Sequence, residues 1–334
     1  MKFHRSRIAL YALLLGLTAV GLGLLPACAG AVEEDTPPNF KVAFIGDQGL
    51  GSNALAVLRL IRDEGADMVL HQGDLAYAND PDAWDSQISS VLGSDFPYFA
   101  SIGNHDCVGS SGCSGPGRWL GFQSKLQDRL SKIEGARCSG DLGVKSACSY
   151  KGLFFILSGV GTLGTGHEPY ITDQLAGDTS IWRICSWHKN QRLMQTGGKQ
   201  DEIGWGVYEA CRQGGAIIAT GHEHSYSRTH LMDDLGTQSV ASTLNTLKLE
   251  NGRTFVIVSG LGGRSVRGQD DELAAKPWWG SVYNSTQGAE SGALFCAFNA
   301  GGVETRAHCY FKDVGGVIAD AFLLVMSARA AVPK

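Results

Sequence analysis

Three apolar runs in the first third of the chain share one ending. Lys41–Ile45, Met68–His71 and Tyr98–Ile102 each lead, within two residues, to a glycine and then a polar side chain: Gly46-Asp47, Gly73-Asp74 and Gly103-Asn104. Runs this short and this apolar read as strands buried on both faces, as in a parallel sheet covered by helices. The intervening stretches supply the helices. Asn53–Arg62 sets Leu55, Leu58 and Ile61 at helical spacing, and Pro81–Leu92 begins with a proline, which a first helical turn accepts. This strand–loop–helix grammar predicts an α/β domain whose functional loops lie at the carboxyl ends of its strands.

The same grammar continues downstream. Strands are predicted at Leu153–Leu157, Ile181–Trp187 and Ala216–Thr220, and helices over Arg118–Leu130 and Asp201–Arg212. Residues 107–148 are rich in glycine and serine and read as an excursion from the sheet. Beyond His224 the chain becomes β-rich, with strands expected at Thr254–Val258, Ala293–Phe298, Glu304–Phe311 and Val317–Val325. One domain is expected over 40–328, behind an acidic, proline-bearing linker at 30–39. The glycine content, 45 of 334 residues, shows no G-X-Y period and only 9 prolines accompany it, so a collagen-like chain is excluded.

Residues 1–29 read as an export signal. Lys2, Arg5 and Arg7 precede an apolar run from Ile8 to Leu25, and small residues close it at Ala27-Cys28-Ala29-Gly30-Ala31. Leu25-Pro26-Ala27-Cys28 also resembles a bacterial lipoprotein signal, with Pro26 departing from the usual small residue, and an uncleaved anchor is the other reading of so long a run. The expectation is an exported protein: secreted, periplasmic or lipid-anchored at the cell surface, or in the secretory pathway of a eukaryote. Without the leader, 25 basic residues face 33 acidic ones, a net charge of −8. A surface this acidic speaks against nucleic-acid partners, and membrane contact is expected only through a lipid or an uncleaved leader.

Cysteine usage agrees with export. Apart from Cys28 there are eight cysteines, an even number that suggests disulfides, although eight permit 105 connectivities. Short loops favour Cys107–Cys113, Cys138–Cys148 and Cys296–Cys309, which leaves Cys185 with Cys211; buried thiols are the competing reading. No C-x-x-C occurs, so a zinc cluster of cysteines is not expected.

The chemistry lies in an ordered set of strand-end residues: Asp47; Asp74 with Tyr77; Asn104 with His105; His188; then His222 and His224. Singly, each block is an ordinary turn. Together they offer only metal-capable atoms, and a mixture of carboxylate, amide oxygen, phenolate and imidazole suits iron, manganese or zinc better than calcium. A carboxylate such as Asp74 can bridge two ions about 3.5–4 Å apart. On an extended segment, His222 and His224 face the same side and can serve different ions.

The series Gly-Asp-x-Gly, Gly-Asp-x-x-Tyr, Gly-Asn-His-Asp, a strand-end His and Gly-His-x-His resembles the calcineurin-like metallophosphoesterase superfamily. Gly49, where many members have His, and Tyr77 select its purple acid phosphatase (tartrate-resistant acid phosphatase-like) branch. The resemblance covers about residues 40–325 and is least distinctive at His188. It implies a four-layer α/β/β/α sandwich of two mixed sheets flanked by helices, in the short form that lacks the amino-terminal β domain of plant-type relatives. It further implies an Fe(III) site of Asp47, Asp74, Tyr77 and His224, and a site for Fe(II), Zn(II) or Mn(II) of Asp74, Asn104, His188 and His222. The implied activity is hydrolysis of small phosphomonoesters by in-line attack of a hydroxide generated at the metals, with His105 as general acid. A phosphodiesterase or nucleotidase of the same superfamily, or a catalytically silent metal- or phosphate-binding surface protein, are the alternatives. Tyr226, Arg228 and Arg264 are candidates to contact substrate phosphate. His71 is expected behind the ligands, and Trp278-Trp279 in buried packing rather than at a rim.

Overall fold

The computed structural model describes residues 35–107, 112–115 and 117–327. The leader with Cys28, and the first part of the linker, lie outside these residues. The first α/β unit comprises β1 (Phe40–Ile45), α1 (Ser52–Asp63), β2 (Met68–His71), α2 (Pro81–Leu92) and β3 (Tyr98–Ala100). Next come α3 (Trp119–Leu130), β4 (Arg137–Asp141), β5 (Lys145–Tyr150), β6 (Leu153–Ser158) and α4 (His167–Gly177). The middle holds β7 (Trp182–Ser186), α5 (Gly206–Gln213), β8 (Ile217–Thr220), β9 (Tyr226–Thr229), β10 (Leu231–Asp234) and β11 (Ser239–Ser242). The remainder is β12 (Thr246–Leu249), β13 (Val256–Ser259), α6 (Asp271–Ala274), β14 (Trp279–Tyr283), β15 (Gly292–Phe298), β16 (Arg306–Asp313) and β17 (Ile318–Met326).

Two mixed sheets result. One has the order β12-β17-β16-β15-β1-β2-β3, with β1, β2 and β3 mutually parallel. The other runs β14-β9-β13-β8-β7-β6-β5-β4, with β6, β7, β8 and β13 parallel. Their facing sides share one core in which Phe99 meets Phe155 (ring centroids 4.7 Å apart), Trp182 meets Phe298 (5.1 Å) and Phe255 meets Phe322 (5.6 Å). α1 and α2 cover the first sheet through Val57, Leu58, Ile61, Trp84 and Ile88, while α4 and α5 cover the second over Ile156, Cys185 and Ile218. This is the expected two-sheet sandwich flanked by helices. The proline at the start of α2 sits as expected, with Asp80 accepting the Ala83 N–H (2.9 Å) as its cap.

One expected helix starts late, and other elements were not foreseen. The predicted helix Asp201–Arg212 begins only at Gly206, because Asp201 Oδ1 accepts the N–H groups of Ile203 and Gly204 and closes a turn first, with Gly204 at φ 67°. The end of the 107–148 excursion is not outside the sheet: β4 and β5 extend the second sheet, and β4 shows no apolar alternation because all five of its residues are exposed. α4 was not foreseen, since Ile171 and Leu175 are the only apolar residues it buries.

Four disulfides form: Cys107–Cys113, Cys138–Cys148, Cys185–Cys211 and Cys296–Cys309. Two of them link directly opposed residues of antiparallel strands, β4 with β5 and β15 with β16. Four such bonds fit an oxidising compartment. Among the described residues, no helix is long and apolar enough to cross a membrane.

Candidate metal centre

The parallel strands of both sheets end at one level. β1 leads to Asp47, β2 to Asp74 and Tyr77, β3 to Asn104 and His105, β7 to His188, and β8 to His222 and His224. The sheets are joined there by the Gly46 N–H to Ser259 O (2.7 Å) and the Gly262 N–H to Gly46 O (2.9 Å). Loops at the carboxyl ends of parallel strands are where α/β folds place ligands.

The backbone at these positions is unusual. Asp47 (φ 60°), Asp74 (φ 60°), Tyr77 (φ 53°) and His222 (φ 71°) adopt left-handed conformations, although none is glycine. Each such residue costs on the order of 1–3 kcal/mol and persists only where its surroundings impose it. Asp106 imposes part of it: its buried carboxylate accepts the N–H groups of Asp74 (3.1 Å), Leu75 (3.0 Å) and Gly103 (2.7 Å). Gly103 is needed for close approach, because a Cβ there would collide with the backbone nitrogen and Oδ1 of Asp74. Gly73 (φ 83°) shares the left-handed conformation with the candidate ligands around it.

Side-chain donors converge in two groups. In the first, the Tyr77 hydroxyl donates to Asp47 Oδ1 (2.7 Å) and lies 3.0 Å from His224 Nε2, which is itself 3.3 Å from Asp47 Oδ1. In the second, His188 Nε2 lies 3.1 Å from Asn104 Oδ1, 3.2 Å from Asp74 Oδ2 and 3.0 Å from His222 Nδ1. Asp74, His188 and His222 are buried and offer ligand atoms within 4.8 Å of one another. Partners behind the rings fix their orientation: His188 Nδ1 bonds Gln72 O (2.8 Å) and His224 Nδ1 bonds Ser265 Oγ (2.5 Å).

The electrostatics call for cations. Asp47 and Asp74 are buried, and among the described residues neither is paired with a lysine or arginine. Burial works to raise both carboxyls, but the His188 charge and bonds from neighbouring rings hold them below the ordinary range. Burial likewise opposes a charged His188, yet Asp74 and Asp47 push its pKa up to about 9. Its neighbour His222 is pushed down to about 3 by burial and by His188. Two imidazole nitrogens 3.0 Å apart, beside carboxylates that lack a fixed positive partner, form a donor set that fits divalent or trivalent cations.

Two further side chains stand at the mouth. His105 is 45% exposed, with Nε2 4.0 Å from Asp74 Oδ2 and its ring centroid 4.5 Å from that of Tyr77. Arg264 is exposed, and its guanidinium lies 4.7 Å from the Tyr77 ring centroid.

Tyr226 and Arg228 require correction. Both are fully buried on β9, which is paired on one edge with β13 and on the other with β14. Arg228 forms a fork with Asp320 (2.7 and 3.0 Å), the Tyr226 hydroxyl donates to the same carboxylate (2.7 Å), and Phe322 packs on the guanidinium. Neither side chain faces the strand-end cluster. His71 is buried beside the candidate ligands, with Nδ1 accepting the Gly73 N–H (3.0 Å). Trp278 and Trp279 are buried, their indole N–H groups donating to Leu193 O and Leu273 O. Asp106 was overlooked although it closes the Gly-Asn-His-Asp block, and Ser265 because nothing in the sequence distinguishes it.

Sequence comparison matches the family described as calcineurin-like phosphoesterase over residues 40–226, which spans every residue of the two donor groups. The chain belongs to this family. Its fold is similar to that of purple acid phosphatase PPD1 from seeds of yellow lupin (Lupinus luteus), with TM-score 0.61, 19% identity, 87% of this chain covered and 55% of that one. The chain thus matches little more than half the length of the lupin enzyme. PhoD (TM-score 0.54, 12% identity, covering 89% of this chain and 75% of that one) and GAP50, described as the anchor in the inner membrane complex of Plasmodium (0.54, 12%, 87% and 90%), share the fold. No curated protein sequence matches.

Proposed function

We propose that the protein is an exported dinuclear metallophosphatase of the purple acid phosphatase type, acting on small phosphomonoesters. The observation that carries this reading is the convergence of two donor groups: the Tyr77 hydroxyl, Asp47 Oδ1 and His224 Nε2 within 3.3 Å of one another, and His188 Nε2 3.2 Å from Asp74 Oδ2, 3.1 Å from Asn104 Oδ1 and 3.0 Å from His222 Nδ1. Asp47, Tyr77 and His224 would hold one ion, Asn104, His188 and His222 the other, and Asp74 both. Tyr77 as a ligand supports iron at the first position, with Fe(II), Zn(II) or Mn(II) at the second. When bound, such a pair lowers the pKa of a coordinated water and neutralises charge on phosphoryl oxygens.

The chain's own residues supply the rest. His105 stands at the mouth beside Asp74, where its protonated ring can donate to a departing alkoxide. Arg264, over the Tyr77 ring, is placed to orient a phosphate oxygen with a charged donor. The leader composition and the four disulfides support export. GAP50, an anchor, has the same fold, so fold alone does not decide between catalysis and binding. The intact donor set together with His105 favours catalysis.

Turnover of 4-nitrophenyl phosphate compared with its bis-ester tests the substrate class. The monoester is expected to be the better substrate. Faster diester cleavage would favour the phosphodiesterase alternative, and no hydrolysis of either by metal-loaded protein would favour a silent binding protein.

A further inference from the structure

His222 is the member of the donor set whose far side is most informative. Its Nδ1 is turned toward His188 Nε2 (3.0 Å), so its proton belongs on Nε2, facing away from the centre. There it meets Glu202 Oε2 at 2.6 Å. The contact is a close ion-pair approach without hydrogen-bond geometry, and neither buried atom has a hydrogen-bond partner elsewhere among the described residues. Glu202 is itself held from two directions. Its Oε1 pairs with Lys189 Nζ (2.7 Å), next in sequence to His188, and its backbone N–H donates to Asn190 O (3.2 Å). The Asn190 amide in turn donates to Gly221 O (2.6 Å), the residue before His222.

We propose that Glu202 is a positioning residue for the metal centre, a carboxylate that fixes the tautomer and ring plane of His222 from behind. The inference rests on the reading of His222 as a ligand. A carboxylate on the far nitrogen of a ligating imidazole raises its basicity and limits its rotation. Lys189 pairs with the other oxygen of that carboxylate and aims it. The loop between β7 and α5 therefore serves the metal held by His188 and His222, rather than merely connecting two elements. No motif marks Glu202, which lies 20 residues before His222 in a stretch the sequence suggests is helical.

Zn(II) binding to full-length protein, measured by competition with a chromogenic chelator, tests this for wild type, Glu202→Ala and Glu202→Gln. Wild type should take up two equivalents. Glu202→Ala should weaken one of them by about 10–100-fold and leave the other unchanged. Glu202→Gln should fall between, since its amide oxygen keeps a polar atom beside the ring N–H but without the charge. Two unaltered affinities in both variants would overturn the proposal, as would equal weakening of both sites, which indicates a general structural role. Wild type binding no metal would instead overturn the reading of the centre itself.

Discussion

Asp74 is the residue on which both halves of the proposed centre depend. Its carboxylate contacts His188, its Oδ1 accepts the His105 N–H (2.8 Å), and its backbone is pinned by Asp106. Asp74→Ala should therefore lose metal and phosphatase activity together, as read by metal analysis beside a phosphate-release assay. His105→Ala should separate the two. Two metal equivalents should remain, while turnover on esters with poor leaving groups falls about 10²–10⁴-fold and activated aryl esters are spared. Unchanged turnover on poor leaving groups would exclude the acid role. The eight residues of the candidate site were legible as a set because each stands in a short block after an apolar strand. Glu202 and Asp106 were not, because they act through other residues, and their importance shows only when loops distant in sequence are brought together.

Between elements, the misread pair Tyr226 and Arg228 is instructive. Their position just after His224 suggested a substrate contact, but β9 turns inward between two neighbouring strands. Its charge is answered by Asp320 on β17, 92 residues further on than Arg228. No local pattern announces such a pairing. Removing one partner of a buried ion pair costs about 3–5 kcal/mol. Asp320→Ala should lower the urea midpoint accordingly and leave KM for 4-nitrophenyl phosphate unchanged. A second contact joins the end of α1 to the first sheet: Glu64 accepts from Lys312 Nζ (2.6 Å) and from the Tyr310 hydroxyl. Burial works to raise the Glu64 carboxyl, but Lys312 and Tyr310 hold it below its ordinary value. A depressed folded-state pKa gives stability that is present above the unfolded value of about 4.3 and lost as the pH falls through the folded one. Glu64→Gln should thus be less stable than wild type at pH 7, by about 1 kcal/mol, with the difference closing below about pH 4 in parallel melts. A gap that persists into acid would contradict this.

For the whole molecule, the main consequence of the fold is that neither sheet holds the centre alone. The first contributes Asp47, Asp74, Tyr77, Asn104 and His105, and the second His188, His222 and His224, so the donors meet only when the sheets pack. The layered architecture could be read from its apolar strands, but the short β9–β12 and β14 could not, because four- and five-residue strands with polar faces carry too little periodicity. A ligand that binds only the assembled form stabilises it, by about 2.7 kcal/mol at a hundred times Kd. Chelation should therefore lower the thermal midpoint of wild type, and Asp74→Ala should show no such response. The most direct test of the account is titration of the metal-free protein with one equivalent of Fe(III) and then with Zn(II) or Mn(II) while phosphate release from 4-nitrophenyl phosphate is followed. The account predicts no turnover without metal and full turnover at two equivalents per chain. Hydrolysis by the metal-free protein, or saturation at a single equivalent, would contradict it.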